Sequence, residues 1–181
     1  FQFSLIATIP QNDHLKDYTN GYTVKFTDTM SSGVTFDSIH SVTVNNEPVQ
    51  AGAVADGKYL VSGVNAGEAG KKWTIEMDVK KILGESFGDA AISVVVTYNA
   101  HLNEKAAIVH KASDDGASAD NTNKNSVYLE YSNNPTGDTT GKTETDVTTV
   151  FTLKLVFSKT DEKSNPLSGA DFVPEGYDLD E

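Results

Sequence analysis

Residues 22–36 read Tyr22-Thr23-Val24-Lys25-Phe26-Thr27-Asp28-Thr29-Met30-Ser31-Ser32-Gly33-Val34-Thr35-Phe36, and this order decides the class of fold. Tyr22, Val24 and Phe26 alternate with Thr23, Lys25 and Thr27, which is the two-residue period of a half-buried strand. Ser31-Ser32-Gly33 supplies turn chemistry, and Val34-Thr35-Phe36 resumes the strand pattern. The same rhythm extends in both directions. Upstream, Phe1, Phe3 and Leu5 alternate with Gln2 and Ser4 until Pro10 closes the segment. Downstream come Ser41–Val44 with the turn signal Asn45-Asn46, then Trp73–Val79, Ile92–Tyr98, Ser126–Tyr131 and Thr148–Phe157. Short strands about ten residues apart predict an all-β, immunoglobulin-like β-sandwich.

The intervals are less regular. Lys80–Phe87 predicts one or two helical turns, while Ala100–Lys111 fits helix or strand equally. Ser113–Lys124 is a polar loop, and the Gly- and Thr-rich stretch Asn133–Asp146 reads as a connector or an edge excursion.

With 181 residues, the chain has material for one sizeable core, or for a domain of about 150 residues and the start of another. Eight Phe and seven Tyr within 38% apolar residues argue against wholesale disorder. All 14 basic residues are lysines and they face 26 acidic ones, for a net charge of −12. That balance repels nucleic acid and anionic lipid, and it lacks the guanidinium forks that read phosphate. The charge reads as surface solubility. Without cysteine there are no disulfides, thiolate metal sites or catalytic thiols. No apolar run reaches the roughly 20 residues that span a bilayer as a helix, and no signal peptide opens the sequence. Targeting and anchoring parts of an exported protein are therefore expected outside these residues.

Candidate enzyme chemistry is sparse. Gly137-Asp138-Thr139-Thr140-Gly141-Lys142-Thr143 imitates a phosphate loop, but it has three residues between its glycines where the motif needs four. His14, His40, His101 and His110 never take the i, i+4 spacing of a helical zinc pair, and no Gly-x-Ser-x-Gly elbow is present. Asp114, Asp115, Asp120 and Asn121 offer oxygen ligands for calcium without the EF-hand spacing, so a solvated acidic loop is the favoured reading. Glu76 and Asp78 are same-face strand neighbours, expected to face solvent and not to form a glycosidase pair.

Two stretches carry family character. Residues 22–36, together with Asn125-Ser-Val-Tyr-Leu-Glu-Tyr-Ser-Asn-Asn134-Pro135, resemble the isopeptide-forming second domain of sortase-assembled pilus backbone (shaft) pilins of Gram-positive bacteria, a collagen-adhesin A-type sandwich. Leu153-Lys-Leu-Val-Phe-Ser-Lys159-Thr-Asp161, continuing to Pro166–Phe172, resembles the opening of a collagen-adhesin B-type domain. The resemblance implies a sandwich domain over 1–147 and a partial B-type domain over 148–181. It also implies a structural role in an extracellular, cell-wall-anchored pilus. Partners would be other pilin subunits joined covalently by sortase. No cofactor or metal is implied, and neither nucleic-acid binding nor membrane insertion. The alternative is an adhesin domain that binds a host protein or glycan through its loops.

In that family a lysine amine attacks an asparagine side-chain amide and releases ammonia, assisted by a buried acid. Burial favours the neutral amine and the protonated acid, which can donate a hydrogen bond to the amide oxygen. By motif position Asp28 corresponds to the acid and Asn125 to the amide partner. The plainer alternatives are a turn cap ahead of Thr29–Gly33 for Asp28, and a strand-edge asparagine for Asn125 with Asn121 and Asn123 as competitors. Family spacing puts the reactive lysine upstream of Phe1; Lys25 sits at an ordinary alternating position. Lys159 matches the reactive lysine of the B-type module, whose own partners are absent, and the tail Val173-Pro-Glu-Gly-Tyr177 follows Phe172 without the strands that normally intervene.

Overall fold

The computed structural model of the chain describes residues 1–109, 123–150, 152, 153 and 162. Lys159, His110, the loop of Asp114, Asp115, Asp120 and Asn121, and the Phe172–Val173 junction lie outside the described residues.

In chain order the strands are β1 (Gln2–Ile9), β2 (Thr23–Met30), β3 (Val34–Val44), β4 (Glu47–Pro48), β5 (Tyr59–Ser62), β6 (Lys72–Asp78), β7 (Ile92–Leu102), β8 (Ile108–Val109), β9 (Asn123–Ser132), β10 (Thr140–Lys142), β11 (Asp146–Val150) and β12 (Thr152–Leu153). One short helix, α1 (Val79–Leu83), follows β6. The first sheet runs β1-β7-β3-β4; the second runs β10-β9-β2-β6-β5, with β11 also on β9. β8 and β12 pair in parallel as a separate small ladder. The chain is therefore an all-β, immunoglobulin-like sandwich, as its periodicity predicts.

Alternation explains which faces meet. Phe3, Leu5, Ala7 and Ile9 of β1 are buried while their neighbours are exposed. From the opposite sheet Val24, Phe26, Ile75 and Met77 pack against Val94, Val96 and Tyr98 in one core. Removing this apolar surface from water is the main stabilising term, at roughly 25 cal/mol per Å². The turn after β3 uses Asn45 and Asn46 at φ 50 and 70, the left-handed pair that suits a tight hairpin. The pattern from Val34 to Val44 forms one strand, not two, because register shifts at Phe36/Ser38 and Ile39/Ser41 absorb its irregular stretch.

One expectation needs revision, and the strand pairing bears on two further readings. Asp78 does not face solvent: it is the last residue of β6 and is buried, and its Oδ1 accepts from the backbone N–H of Tyr22 at 3.0 Å and of Lys81 at 3.2 Å. The carboxylate is thus the N-cap of α1, and strand alternation ends where helix capping begins. The boundary placed between residues 147 and 148 falls inside β11, whose Val147–Val150 continue the ladder on β9 from Ser126 to Asn123. Within Asn133–Asp146, read as a connector or an edge excursion, Thr140–Lys142 form β10 and pair with Glu130–Ser132, so the edge excursion holds there.

A buried acid–amide pair as candidate functional site

β2 lies between β6 and β9, which brings three inward side chains together. Asp28 stands directly opposite Trp73 of β6, and Met30, two residues on, stands opposite Asn125 of β9. Asp28 and Asn125 are therefore diagonal neighbours on one inward face, within reach across adjacent strands. Tyr98 enters from β7 of the facing sheet. All four side chains are buried, and Asp28 is 0% exposed.

The polar atoms of this cluster are tightly connected. Trp73 Nε1 donates to Asp28 Oδ1 at 3.0 Å, and Tyr98 Oη donates to Asp28 Oδ2 at 3.1 Å. Asn125 Nδ2 donates to Asp28 Oδ2 and to Tyr98 Oη, both at 2.8 Å. Buried Trp and Tyr need partners for their polar tips, and here one carboxylate serves both. Phe36 packs on Trp73 and on Tyr98, and Phe3 on Tyr98, with ring centroids 5.3, 5.7 and 5.3 Å apart, so apolar rings wall off the cluster.

Burial pushes the Asp28 carboxyl up from 3.8 to about 6, against the three donors that hold it down. Desolvation wins because an ion loses more solvation here than these hydrogen bonds return. Tyr98 is raised by the same burial and by the neighbouring Asp28 charge. Asn125 Oδ1 is buried and has no hydrogen-bond partner among the described residues. As placed, the acid contacts the amide nitrogen, the atom that would accept a proton on leaving, while the amide oxygen has no donor to stabilise the charge that attack at the carbonyl carbon would put on it.

Asn123, the competing asparagine, behaves differently. Its Oδ1 accepts from Ala107 N at 2.8 Å, and its Nδ2 donates to the carbonyls of Ala107 and Val150, both at 3.1 Å. It ties backbone segments together and is fully used. Asn121 lies outside the described residues. Lys25 points outward toward Glu76, 3.9 Å away, and no lysine among the described residues is buried. Of the histidines, His14 pairs with Asp17 and His101 with Asp37, all at the surface. No group of three or more metal-ligating side chains is assembled among the described residues.

One feature departs from the chemistry read from sequence. That reading put the acid on the amide oxygen, whereas Asp28 Oδ2 sits on the amide nitrogen, the atom that leaves as ammonia. A half-turn of the Asn125 carboxamide exchanges the two contacts. The sequence places Trp73 and Tyr98 only within strands, and the signal for their polar role is that both fall at inward positions.

A two-layer sandwich with a buried carboxylate between an asparagine and two aromatic donors defines the class: a β-sandwich module built around an internal acid–amide contact. The chain belongs to the Gram-positive pilin backbone subunit 2, Cna-B-like domain family, which matches residues 5–135. The family description thus attaches the B-like name to the stretch whose motifs resemble the A-type module. Among solved structures, the fold is similar to the pilus backbone of Streptococcus pneumoniae, with 23% identity, TM-score 0.50, 77% of this chain and 26% of that chain covered. It is also similar to a 35 kDa C-terminal fragment of the major pilin GBS80 of Streptococcus agalactiae, with 16% identity, TM-score 0.59, 92% of this chain and 54% of that chain covered. The chain thus spans between a quarter and somewhat over half of these two structures. No curated protein sequence matches it.

Proposed function

We propose that this chain is a shaft domain of a Gram-positive surface pilus, stabilised by an intramolecular Lys–Asn amide bond between its first and last long strands. Family membership supports the structural role. The observation that carries the finer reading is the buried contact of Asp28 Oδ2 with the Asn125 amide nitrogen.

The step balances without a cofactor. A neutral lysine Nζ attacks Asn125 Cγ, the Nζ–Cγ bond forms, and the Cγ–Nδ2 bond breaks. Asp28 passes the proton shed by the amine to Nδ2, which departs as ammonia. A carboxyl that titrates at about 6 can both take and give that proton near neutrality. Tyr98, bonded to both partners, positions them. The lysine is assigned to the strand ahead of Phe1. β1 holds inward parity at Phe3, Leu5, Ala7 and Ile9, so a lysine that continues this strand upstream at the same parity would share their face.

Such a bond carries pulling force through covalent links in a chain that has no disulfides. Sortase would join the subunit to other pilins outside the cell, and residues beyond β12 would begin a second, B-type module containing Lys159. The test is the intact mass of the natural protein including the residues upstream of Phe1. The expected result is a deficit of about 17 Da, one ammonia, for each bond. A full calculated mass overturns the cross-link while leaving the structural role intact.

A further inference from the structure

We infer that Asn20-Gly21 is a self-modifying site, at which the Gly21 backbone nitrogen attacks the Asn20 carboxamide. It is the chain's sole Asn-Gly pair. A backbone nitrogen and the preceding asparagine's Cγ are positioned to close a five-membered ring, and a glycine puts no side chain in the way. The Gly21 N–Cγ bond forms and the Cγ–Nδ2 bond breaks. The Gly21 amide proton leaves with Nδ2 as ammonia. Water then adds to one of the two ring carbonyls and yields aspartate or isoaspartate.

The local structure holds the flanks and leaves the reacting groups free. Thr19 N donates to Pro135 O at 3.1 Å, and Tyr22 N donates to Asp78 Oδ1 at 3.0 Å. Between these anchors, neither the Gly21 N–H nor the Asn20 carboxamide has a hydrogen-bond partner among the described residues, and Asn20 is exposed. Asn20 and Gly21 line an open concavity of about 550 Å³, through which water reaches the ring carbonyls. Other asparagines lack this combination. Asn134 precedes Pro135, which has no N–H, and its Oδ1 accepts from Thr136. Asn133 Oδ1 accepts from the Thr139 hydroxyl at 2.8 Å.

The product strains this corner. Gly21 has φ 99, and a Cβ there would lie 2.2 Å from Asp78 Oδ2, so there is no spare room beside its backbone. Isoaspartate adds a methylene to the main chain at that point and displaces the Tyr22–Asp78 contact where β2 begins. The ring intermediate also lacks one ammonia, the same deficit expected of the Lys–Asn bond, so a mass deficit is assigned only after peptide mapping. The inference does not depend on the proposed function.

The experiment incubates the purified chain for weeks in mildly alkaline buffer and maps its peptides by mass spectrometry, with isoaspartate methyltransferase labelling. The expected result is a gain of about 1 Da at Asn20, about tenfold faster than at Asn133 or Asn134, with label on that peptide. Asn20→Gln abolishes label and mass gain there, because its longer side chain closes a less favourable ring. Gly21→Ala is avoided because its Cβ would collide with Asp78. An Asn20 peptide that keeps its mass, or that changes no faster than those of Asn133 and Asn134, overturns the inference.

Discussion

The carboxylate of Asp28 and the carboxamide of Asn125, 97 positions apart in the chain, meet at 2.8 Å inside the sandwich. Their contact joins two neighbouring strands of one sheet, and Tyr98 locks it from the other.

In the natural protein with its upstream residues, Asn125→Ala is expected to restore the missing ammonia mass and to lower the melting temperature by many degrees. By analogy with disulfides, a covalent closure of about 100 residues contributes on the order of 4–5 kcal/mol. Asn123→Ala is expected to keep the mass deficit and lose only its backbone bridges. Intact-mass spectra of the two variants decide between them, and a deficit that disappears with Asn123 would move the acceptor role there.

Asp28 gives the uncross-linked 181-residue chain a characteristic pH dependence. Its carboxyl titrates at about 6 when folded and at 3.8 when free, so the folded state binds the proton more tightly. The corresponding stability is fully present below pH 3.8 and is lost as the pH rises through about 6. The difference is on the order of 3 kcal/mol. Denaturant titrations across that window should show Asp28→Asn without this component, whatever its absolute stability. Parallel curves for the two proteins would refute the assignment.

Much of the sandwich was legible because half-buried strands print their burial directly as alternation, from Phe1–Leu5 to Ile92–Tyr98. What escaped was information that exists only between strands. Tyr59–Ser62 is too short to stand out, yet it completes the edge beside β6. Asp78 was misread because periodicity cannot show that a strand ends on a helix cap. Asp28 and Asn125 were located through the resemblance, since nothing in local sequence distinguishes a buried acid from a turn cap. The roles of Trp73 and Tyr98 depend on sheet order and on which face of β7 opposes β2, and neither is written locally.

The end of the first module is tested by two truncations. A chain ending at Leu153 retains every described strand and should melt close to the full chain, as expected if later residues begin a separate core. A chain ending at Thr145 loses β11, the packing of Val150 and the bond from Asn123 Nδ2 to Val150 O. That removes roughly 2 kcal/mol or more, which for a domain of this size lowers melting by about 4–8 °C. Calorimetry distinguishes the two. A large loss on ending at Leu153 would place later residues in the first core.

Tyr98→Phe separates positioning from proton transfer. The ring stays packed between Phe3, Phe36 and Trp73, so the core is preserved. Only the hydroxyl is lost, and with it one donor to Asp28 and one acceptor for Asn125. The stability cost is about 1–2 kcal/mol, since a buried Nδ2–H loses a partner. With one donor fewer, the Asp28 carboxyl should titrate higher still, and the pH window of the folded chain should shift upward with it. In the natural protein, the amide bond should still form, but more slowly, because the carboxyl that moves the proton remains while the carboxamide swings more freely. Asp28→Ala should form none. The time course of ammonia loss in freshly refolded protein measures both. If Tyr98→Phe forms the bond at the parent rate, the hydroxyl is only a core hydrogen bond; if it forms none, Tyr98 belongs to the proton path itself.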